Sequence, residues 1–234
     1  MKKKLNAFRG QLTAMQIAAG MNAAAANARR LADDAEILIS AGRFATGASL
    51  AALAIEEAGK VTILRQLALA RDDSEVEGAW RDYRSHTRKN VAWLLPQLAA
   101  AGARRLDDFS PLFDDSAEHP HILDQLKQLG FYTDCLGNAH WSLPWDTINE
   151  DLARQLLLIA KVVAGRDNHT EREIALWVEH IGPVWKKDPA WMKRALVNWY
   201  AAMQAEGLAP EGPNQMEDFI GQGISITTDS EPAK

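Results

Sequence analysis

Apolar residues recur every three or four positions along most of the chain, which is the spacing of amphipathic helices. The pattern predicts a first helix over residues 11–41, which ends at Gly42, a second over 44–70 and a third over 75–101. Pro96 falls inside the third pattern and is expected to kink or shorten that helix. The three helices are expected to pack together as a bundle.

The second half of the chain carries shorter helical patterns. A polar connector is predicted over 102–120 and an irregular stretch over 137–144. Four helices are predicted around them, over 121–129, 147–164, 170–180 and 188–206. The fold class predicted is therefore all-α, an up-down bundle with an additional C-terminal helical region. The predicted parts are a bundle core over 11–101, the connector, C-terminal helices over 121–206 that complete or extend the bundle, and a weakly ordered tail over 207–234.

Composition and charge limit the classes of function. The formal net charge of −5 leaves no basic footprint over the whole chain of the kind that nucleic-acid-binding proteins show. The stretch 60–105 is nevertheless rich in arginine and lysine, so a local anion-binding face remains open. The lone cysteine, Cys135, cannot form a disulfide within the chain, which suits a reducing cytosol.

The start of the chain, Met1-Lys2-Lys3-Lys4, is similar to the start of a signal peptide. The required apolar region does not follow, because Arg9, Gln11 and Gln16 interrupt it. No run of apolar residues reaches the length of a spanning helix. We therefore expect a soluble cytoplasmic protein that does not enter a membrane.

Polar residues stand at apolar positions of the second helix. Glu57 falls in the middle of the stripe that includes Leu53 and Val61, and Lys60 is close enough in sequence to pair with Glu57 or with Glu56. A carboxylate that faces a core is costly unless it is paired. This favours a buried or cleft role for Glu57, and the alternative is a solvated salt bridge on the helix surface.

The first and third helices carry further candidates. Asn27 and Asp34 share a face beside the apolar stripe, either as part of a site or as a solvated helix edge. On the third helix Asp82 precedes His86 by four residues, so its carboxylate could orient the imidazole. Lys89 or a neighbouring arginine could bind a phosphate. The alternative is that His86 is a satisfied histidine at the boundary of the core.

These residues stand in segments that resemble the AbiV family of bacterial abortive-infection proteins, which act in phage defence. The resemblance covers roughly residues 20–165. The segments that carry it are Asn27-Ala28, Asp34-Ala35, Gly42-Arg43-Phe44, Ala54-Ile55-Glu56-Glu57-Ala58-Gly59-Lys60, Tyr83-Arg84-Ser85-His86 with Lys89, Leu129-Gly130-Phe131-Tyr132-Thr133-Asp134, and 141–144.

The AbiV family is related to the HEPN superfamily of helical bundles, many of whose members are metal-independent ribonucleases with an arginine and a following histidine separated by four to six residues. Arg81 and His86 match that spacing. On a regular helix the two would face about 140° apart. They could share a site if the helix is irregular or if two subunits contribute, and HEPN enzymes commonly build their site across a dimer interface. The resemblance thus implies a homodimer.

The resemblance also implies roles for the candidates. His86 would act as general base or acid on a ribose 2′-hydroxyl, Arg81 or Arg84 would stabilise the phosphorane charge, and Glu57 and Lys60 would position these groups. The implied partner is RNA, with no cofactor and no metal. The predicted catalytic residues are His86, Arg81, Glu57, Lys60 and Lys89, and the predicted substrate-binding residues are Arg84, Arg88, Asn27, Asp34 and Tyr83.

Two other functions remain open from the sequence. In the first, the protein is a non-enzymatic interaction protein that binds a phage factor or the translation machinery, and the polar cluster is a structural network. In the second, weaker hypothesis, Asp34, Glu57 and His86 form the ligand set of a metal-dependent hydrolase. None of these three residues belongs to a tight Glu-x-x-His pair, which would support that hypothesis.

Overall fold

The computed structural model describes residues 7–114, 116–166 and 168–224, and most of these are helical. The all-α fold class predicted from the sequence is confirmed. The α-helices are α1 (Ala14–Ser40), α2 (Phe44–Ala68), α3 (Asp73–Arg84), α4 (His86–Lys89), α5 (Leu95–Ala100), α6 (His119–Phe131), α7 (Pro144–Thr147), α8 (Glu150–Val163), α9 (Glu171–Ile181), α10 (Pro189–Ala205) and α11 (Gln215–Ile220). Short 3₁₀ helices span Val91–Leu94, Leu106–Phe113 and Gly182–Val184.

Local sequence explains where the first two helices begin and end. Thr13 caps α1 by accepting a hydrogen bond from the Gln16 backbone N–H, and the Gln16 side chain accepts one from Thr13 N in return. After α1 the chain turns at Gly42, whose φ of +73° is a conformation that glycine adopts without strain. These termini lie within three residues of those predicted.

Helix α2 lies at the centre of the bundle. It packs against α1, α3, α4, α6 and α8. Its sequence is rich in alanine, and Ala51, Ala52, Ala54 and Ile55 are fully buried. A helix that is buried on nearly every side carries apolar residues all round rather than one apolar stripe. The stripe read from the sequence therefore does not identify which polar residue of α2 faces the interior.

The predicted third helix is broken into several pieces. Helix α3 ends at Arg84, and Ser85 adopts an extended conformation with ψ of 133°. The Ser85 side chain then accepts a hydrogen bond from Arg88 N and caps α4. Pro96 stands in the first turn of α5, where its missing N–H costs nothing. The prediction of one helix over 75–101 was wrong, because the serine and the proline both start new helices.

Three further predictions of secondary structure are corrected. The connector contains the 3₁₀ helix Leu106–Phe113 where a loop was expected. The irregular stretch is an antiparallel hairpin of β1 (Asp134–Leu136) and β2 (His140–Ser142), in which Cys135 pairs with Trp141. The tail contains α11. The rest of the predicted tail, 225–234, lies outside the described residues.

A group of buried charges around Glu173 holds the start of α9 against α1 and α2. The Glu173 side chain is 3% exposed and lies 2.7 Å from an Arg65 nitrogen and 2.8 Å from an Arg166 nitrogen. His169 Nδ1 lies 3.1 Å from the same carboxylate, and Asn22 exchanges hydrogen bonds with the His169 backbone. Burial raises the pKa of Glu173, but the histidine and the two arginines outweigh that effect and hold the pKa below its ordinary value.

The chain divides by packing into two compact units. One consists of the described residues of 1–93 and 118–178, and the other of those of 94–117 and 179–234. Within the second unit, Lys193 and Asp107 form an ion pair of 2.6 Å. The limits of these units differ from the domain boundaries predicted at 101, 120 and 206. Those boundaries stay predictions. Of the helices in the described part, none has the length and apolar character that crossing a membrane requires.

Candidate functional site

A buried carboxylate on α2 is the centre of the candidate site. Glu56 is 3% exposed, and basic side chains from two other elements surround it. Its Oε2 atom lies 2.7 Å from His86 Nδ1 and 3.6 Å from Lys89 Nζ, both on α4. Its Oε1 atom accepts a hydrogen bond of 2.5 Å from Lys127 Nζ on α6. We call Glu56, His86, Lys89, Lys127 and Asp124 the Glu56 cluster.

Lys127 links three members of this cluster. Its ammonium lies 2.7 Å from Asp124 Oδ1 and 3.3 Å from His86 Nδ1, in addition to its bond to Glu56. Burial lowers the pKa of Lys127, but the interactions with Asp124 and Glu56 outweigh that effect and raise the pKa above its ordinary value. The lysine is therefore charged throughout the neutral range and holds the two carboxylates in place.

For Lys89, the effect of burial on the pKa outweighs that of the neighbouring carboxylates. Its side chain is 7% exposed, and burial lowers its pKa below the ordinary lysine value. The charge of Glu56 counteracts that shift, Lys60 adds to it, and Glu57 and Lys127 have smaller effects. Lys89 is thus close enough to interact electrostatically with both the Glu56 cluster and the neighbouring pair of Glu57 and Lys60.

Two glycines allow the helices to approach closely enough to form the cluster. A Cβ atom on Gly59 would lie 2.0 Å from the Lys89 carbonyl oxygen, so only glycine lets α4 rest on α2. A Cβ atom on Gly130 would lie 2.2 Å from Ser49 Oγ and 2.7 Å from the Ala45 carbonyl oxygen. Ser49 Oγ also donates to the Lys127 carbonyl oxygen. The Gly59 contact positions Lys89, and the Gly130 and Ser49 contacts position Lys127.

The apolar stripe of the second helix predicts that Glu57 faces the interior, but the structure places Glu56 there instead. The Glu57 side chain is 20% exposed and forms an ion pair of 2.5 Å with Lys60. The Lys60 ammonium also lies 5.2 Å from the centre of the Tyr83 ring. The pairing of Lys60 with a glutamate was expected, but the buried partner of the histidine is the adjacent residue.

The carboxylate that orients His86 also differs from the prediction. Asp82 was expected to do so on a continuous helix, but the break at Ser85 turns His86 toward α2. The Asp82 carboxylate lies 3.9 Å from Arg88 Nε instead. The side chain of His86 is 58% exposed although its Nδ1 atom is bonded to the buried Glu56. One nitrogen of the ring is thus anchored and the other side of the ring is open to solvent.

Arg81 and Arg84 lie in a separate pocket on α3. Arg84 donates to the carbonyl oxygens of Phe8, at 2.6 Å, and Trp80, at 3.0 Å. Arg81 lines the same pocket and, in the part of the chain that is described, forms no hydrogen bond or ion pair with His86. The helix is irregular between Arg81 and His86, as a shared site would require, yet the break does not join the two side chains.

Asn27 and Asp34 lie on an edge of α1 and pair with the same residue. Arg30 donates to Asn27 Oδ1 at 3.0 Å and forms an ion pair of 2.8 Å with Asp34. The Arg30 and Asp34 side chains are both largely exposed. Of the two interpretations left open, the geometry matches the solvated helix edge.

Three members of the cluster were missed by the sequence analysis as site residues: Glu56, Asp124 and Lys127. A signal for Lys127 was present. The buried residues of α6 are His119, Leu123, Lys127 and Gly130, spaced at helical intervals, so a lysine stands in the stripe that faces α2. Asp124 lies three residues before Lys127 and can pair with it on a helix.

The cluster also contains three groups of a kind that bind metal ions. Ligand atoms of Glu56, His86 and Asp124 lie within 4.8 Å of one another. Lys127 Nζ already contacts all three residues, so a cationic group holds the space between them. Asp34 and Glu57, proposed from the sequence as metal ligands with His86, do not belong to this set.

Comparison with known proteins identifies the family. The model of the HEPN_AbiV family, described as AbiV, matches residues 16–165, which is more than half of the chain. The matched region contains every member of the Glu56 cluster and both glycines that shape it. Comparison with curated proteins and with solved structures finds no match. The chain therefore belongs to the AbiV family of HEPN-like proteins.

Proposed function

We propose that this protein arrests growth of a phage-infected cell by cleaving RNA at the Glu56 cluster, without a metal ion. Membership of the AbiV family indicates a role in abortive infection. The observation that carries the proposed chemistry is the bond between His86 Nδ1 and the buried Glu56 carboxylate, combined with a largely exposed imidazole. A carboxylate that anchors one ring nitrogen is the usual way to prepare the other for proton transfer.

The arrangement defines a role for each ring nitrogen. In a neutral imidazole bound to Glu56, Nδ1 carries the proton and donates a hydrogen bond to the carboxylate, which leaves the lone pair on Nε2. Nε2 then takes the proton of a ribose 2′-hydroxyl, whose oxygen attacks the adjacent phosphorus. The bond between phosphorus and the 5′-oxygen breaks, that oxygen takes a proton from water, and the imidazolium returns its proton to the solvent. The products are a 2′,3′-cyclic phosphate and a 5′-hydroxyl.

The other charged residues support this step in two ways. Lys127 and Lys89 neutralise Glu56 and hold it beside the histidine, so we assign them as positioning residues. Arg88 is two residues from His86 on the four-residue helix α4, and its side chain is 58% exposed. We assign Arg88 to the phosphate that is attacked, since a guanidinium matches phosphate geometry.

A second function is favoured by a different surface. Segment 132–145, which contains the hairpin, exposes three large aromatic side chains: Tyr132 is 61% exposed, Trp141 64% and Trp145 70%. Exposed aromatic residues concentrate where proteins bind partners. This segment would bind a phage protein or a component of the translation machinery. The bound partner would either trigger the nuclease or, if this protein acts without catalysis, be its target.

The two functions are separated by one pair of variants. His86→Ala should abolish both RNA cleavage in vitro and growth arrest on expression. His121→Ala is the matched control, because His121 is an exposed histidine on α6 outside the cluster. Growth arrest that persists in His86→Ala would contradict the catalytic proposal. Arrest that persists in His86→Ala and is lost in Trp141→Ser with Trp145→Ser would favour the binding function.

A further inference from the structure

An open pocket of about 680 Å³ lies on α3, on the side of the break at Ser85 that precedes His86. Three arginines, one glutamate, a tryptophan and the serine line it: Arg9, Glu77, Trp80, Arg81, Arg84 and Ser85. The pocket has an excess of positive charge in a chain whose net charge is negative. A concave surface lined by one sign of charge concentrates ligands of the opposite sign.

The wall of the pocket is built by the segment that precedes α1. Trp80 Nε1 donates to the Gly10 carbonyl oxygen at 2.9 Å, and Arg84 donates to the Phe8 carbonyl oxygen. The Phe8 and Trp80 rings meet edge to face with centres 6.1 Å apart. These contacts fix the backbone on both sides of Arg9 and bring it to the pocket that Arg81 lines. The site therefore joins residues more than 70 positions apart.

The three arginines differ in how their charge is used. The Arg84 guanidinium stacks 5.1 Å from the centre of the Trp80 ring and donates to two carbonyl oxygens, so it holds the wall together. Arg9 and Arg81 are exposed, and neither forms an ion pair with another described residue. Glu77, the carboxylate of the pocket, is also exposed and forms no ion pair within the described part.

We infer that Arg9 and Arg81 bind a phosphate group in this pocket, and that its source is the phosphodiester next to the bond cleaved at His86. The second part rests on the proposed function. Two guanidiniums without ion-pair partners on a fixed wall offer the planar donor pairs that phosphate oxygens accept. Because Ser85 lines the pocket and His86 is the next residue, an RNA strand held at the imidazole can extend into the pocket.

Arg81 then has a role that differs from the one predicted from the sequence. There, Arg81 was expected to stabilise the phosphorane beside His86. The structure instead groups it with Arg9 and Trp80, in a pocket whose lining does not include His86. Loss of Arg81 should then raise the KM for RNA by a larger factor than it lowers kcat.

The test measures binding separately from cleavage. A fluorescently labelled single-stranded 2′-O-methyl RNA has no 2′-hydroxyl to attack, so the full wild-type chain can be titrated without turnover. The double variant Arg9→Gln with Arg81→Gln should bind it about tenfold more weakly. The slope of log affinity against log salt should fall by about 0.7 for each phosphate that the variant no longer neutralises. Glu77→Gln, which removes the opposing charge, should tighten binding.

Controls keep the outcome decisive. Arg154→Gln changes an exposed arginine on α8 that pairs with Glu150, and it should leave affinity and slope unchanged. A second titration, with inorganic pyrophosphate, distinguishes the two sources of phosphate. Pyrophosphate binding that depends on Arg9 and Arg81, with RNA binding unaffected, would support the phosphate site and exclude RNA as its source, even if cleavage at His86 is disproved. If the double variant binds both probes like the wild type, the inference is overturned.

Discussion

His86 Nδ1 lies 2.7 Å from Glu56 Oε2, so a largely exposed imidazole is bonded to a carboxylate that is almost fully buried. Lys127 and Lys89 contact the same carboxylate from α6 and α4. The single glutamate therefore connects three helices and fixes the orientation of the residue to which we assign the chemistry.

The first prediction concerns the buried charge itself. Glu56→Ala leaves the Lys127 and Lys89 ammoniums beside an empty space, and removing one partner of a buried ion pair costs about 3–5 kcal/mol. Unfolding in urea should show a loss of that size. Glu57→Ala is the matched control, because its pair with Lys60 is partly exposed and should cost about 1 kcal/mol or less. Equal losses in the two variants would contradict the central place given to Glu56.

The second prediction concerns the space that Lys127 occupies. Lys127→Ser removes the ammonium from among Glu56, His86 and Asp124, whose ligand atoms lie within 4.8 Å of one another. Two carboxylates and an imidazole suit a divalent transition metal such as Zn²⁺. The variant should therefore bind Zn²⁺ in calorimetry and gain thermal stability with it.

The wild-type chain is the reference for that measurement, since its ammonium and a divalent ion would repel each other. Zn²⁺ should leave its melting temperature unchanged, and a chelator should leave RNA cleavage unchanged. The double variant Lys127→Ser with Asp124→Asn should bind Zn²⁺ more weakly, because it loses one ligand. Equal Zn²⁺ affinity in wild type and Lys127→Ser would show that Lys127 does not occupy the metal position.

The third prediction tests the close contact at Gly59. Gly59→Ala places a methyl group 2.0 Å from the Lys89 carbonyl oxygen, so α4 must move away from α2. Overpacking of this kind costs about 1–3 kcal/mol. The displaced helix carries His86, so RNA cleavage should fall further than the loss of folded protein explains.

Gly78→Ala is the control for Gly59→Ala. Gly78 stands inside α3, and its nearest neighbour would be the end of the Arg81 side chain at 3.7 Å. Alanine favours a helix interior over glycine by about 0.5–1 kcal/mol, so this variant should be slightly more stable than the wild type and fully active. A Gly59→Ala protein that keeps wild-type stability would show that the approach of α4 to α2 is loose.

The fourth prediction concerns pH and the group of buried charges around Glu173. The pKa of Glu173 lies below its ordinary value, because His169, Arg65 and Arg166 outweigh the effect of burial. A carboxyl group of this kind stabilises the folded state above the ordinary pKa, and the contribution is lost as the pH falls through the lowered pKa. The difference in unfolding free energy between wild type and Glu173→Gln should be constant near neutrality and shrink below about pH 4.5.

Glu171→Gln provides the comparison for that titration. Glu171 is exposed at the start of the same helix, so the stability of this variant should track the wild type over the whole acid range. A difference for Glu173→Gln that stays constant down to pH 2 would contradict the ion pairs of this group.

Several features of this protein were determined by the sequence alone. Helical spacing of apolar residues predicted α1, α2, α9 and α10 to within a few residues, because Thr13 and Asp188 cap α1 and α10, an apolar stripe marks α9, and the turn at Gly42 precedes α2. The motif residues predicted the family, and the family model confirms it. The local sequence pattern also indicated His86, Lys60 and Lys89 as candidate site residues, and each lies in or beside the Glu56 cluster.

The tertiary structure decided which residues meet. Glu56 and Glu57 are adjacent residues of the same type. Only the packing of α4 and α6 on α2 determines that Glu56 is the buried partner of His86. Lys127 comes from a helix 71 positions away in the chain, so no local pattern could join it to Glu56. The break at Ser85 does not bring Arg81 and His86 together, although the two stand five residues apart. Periodicity describes one helix at a time, whereas a buried ion pair depends on how several helices approach one another.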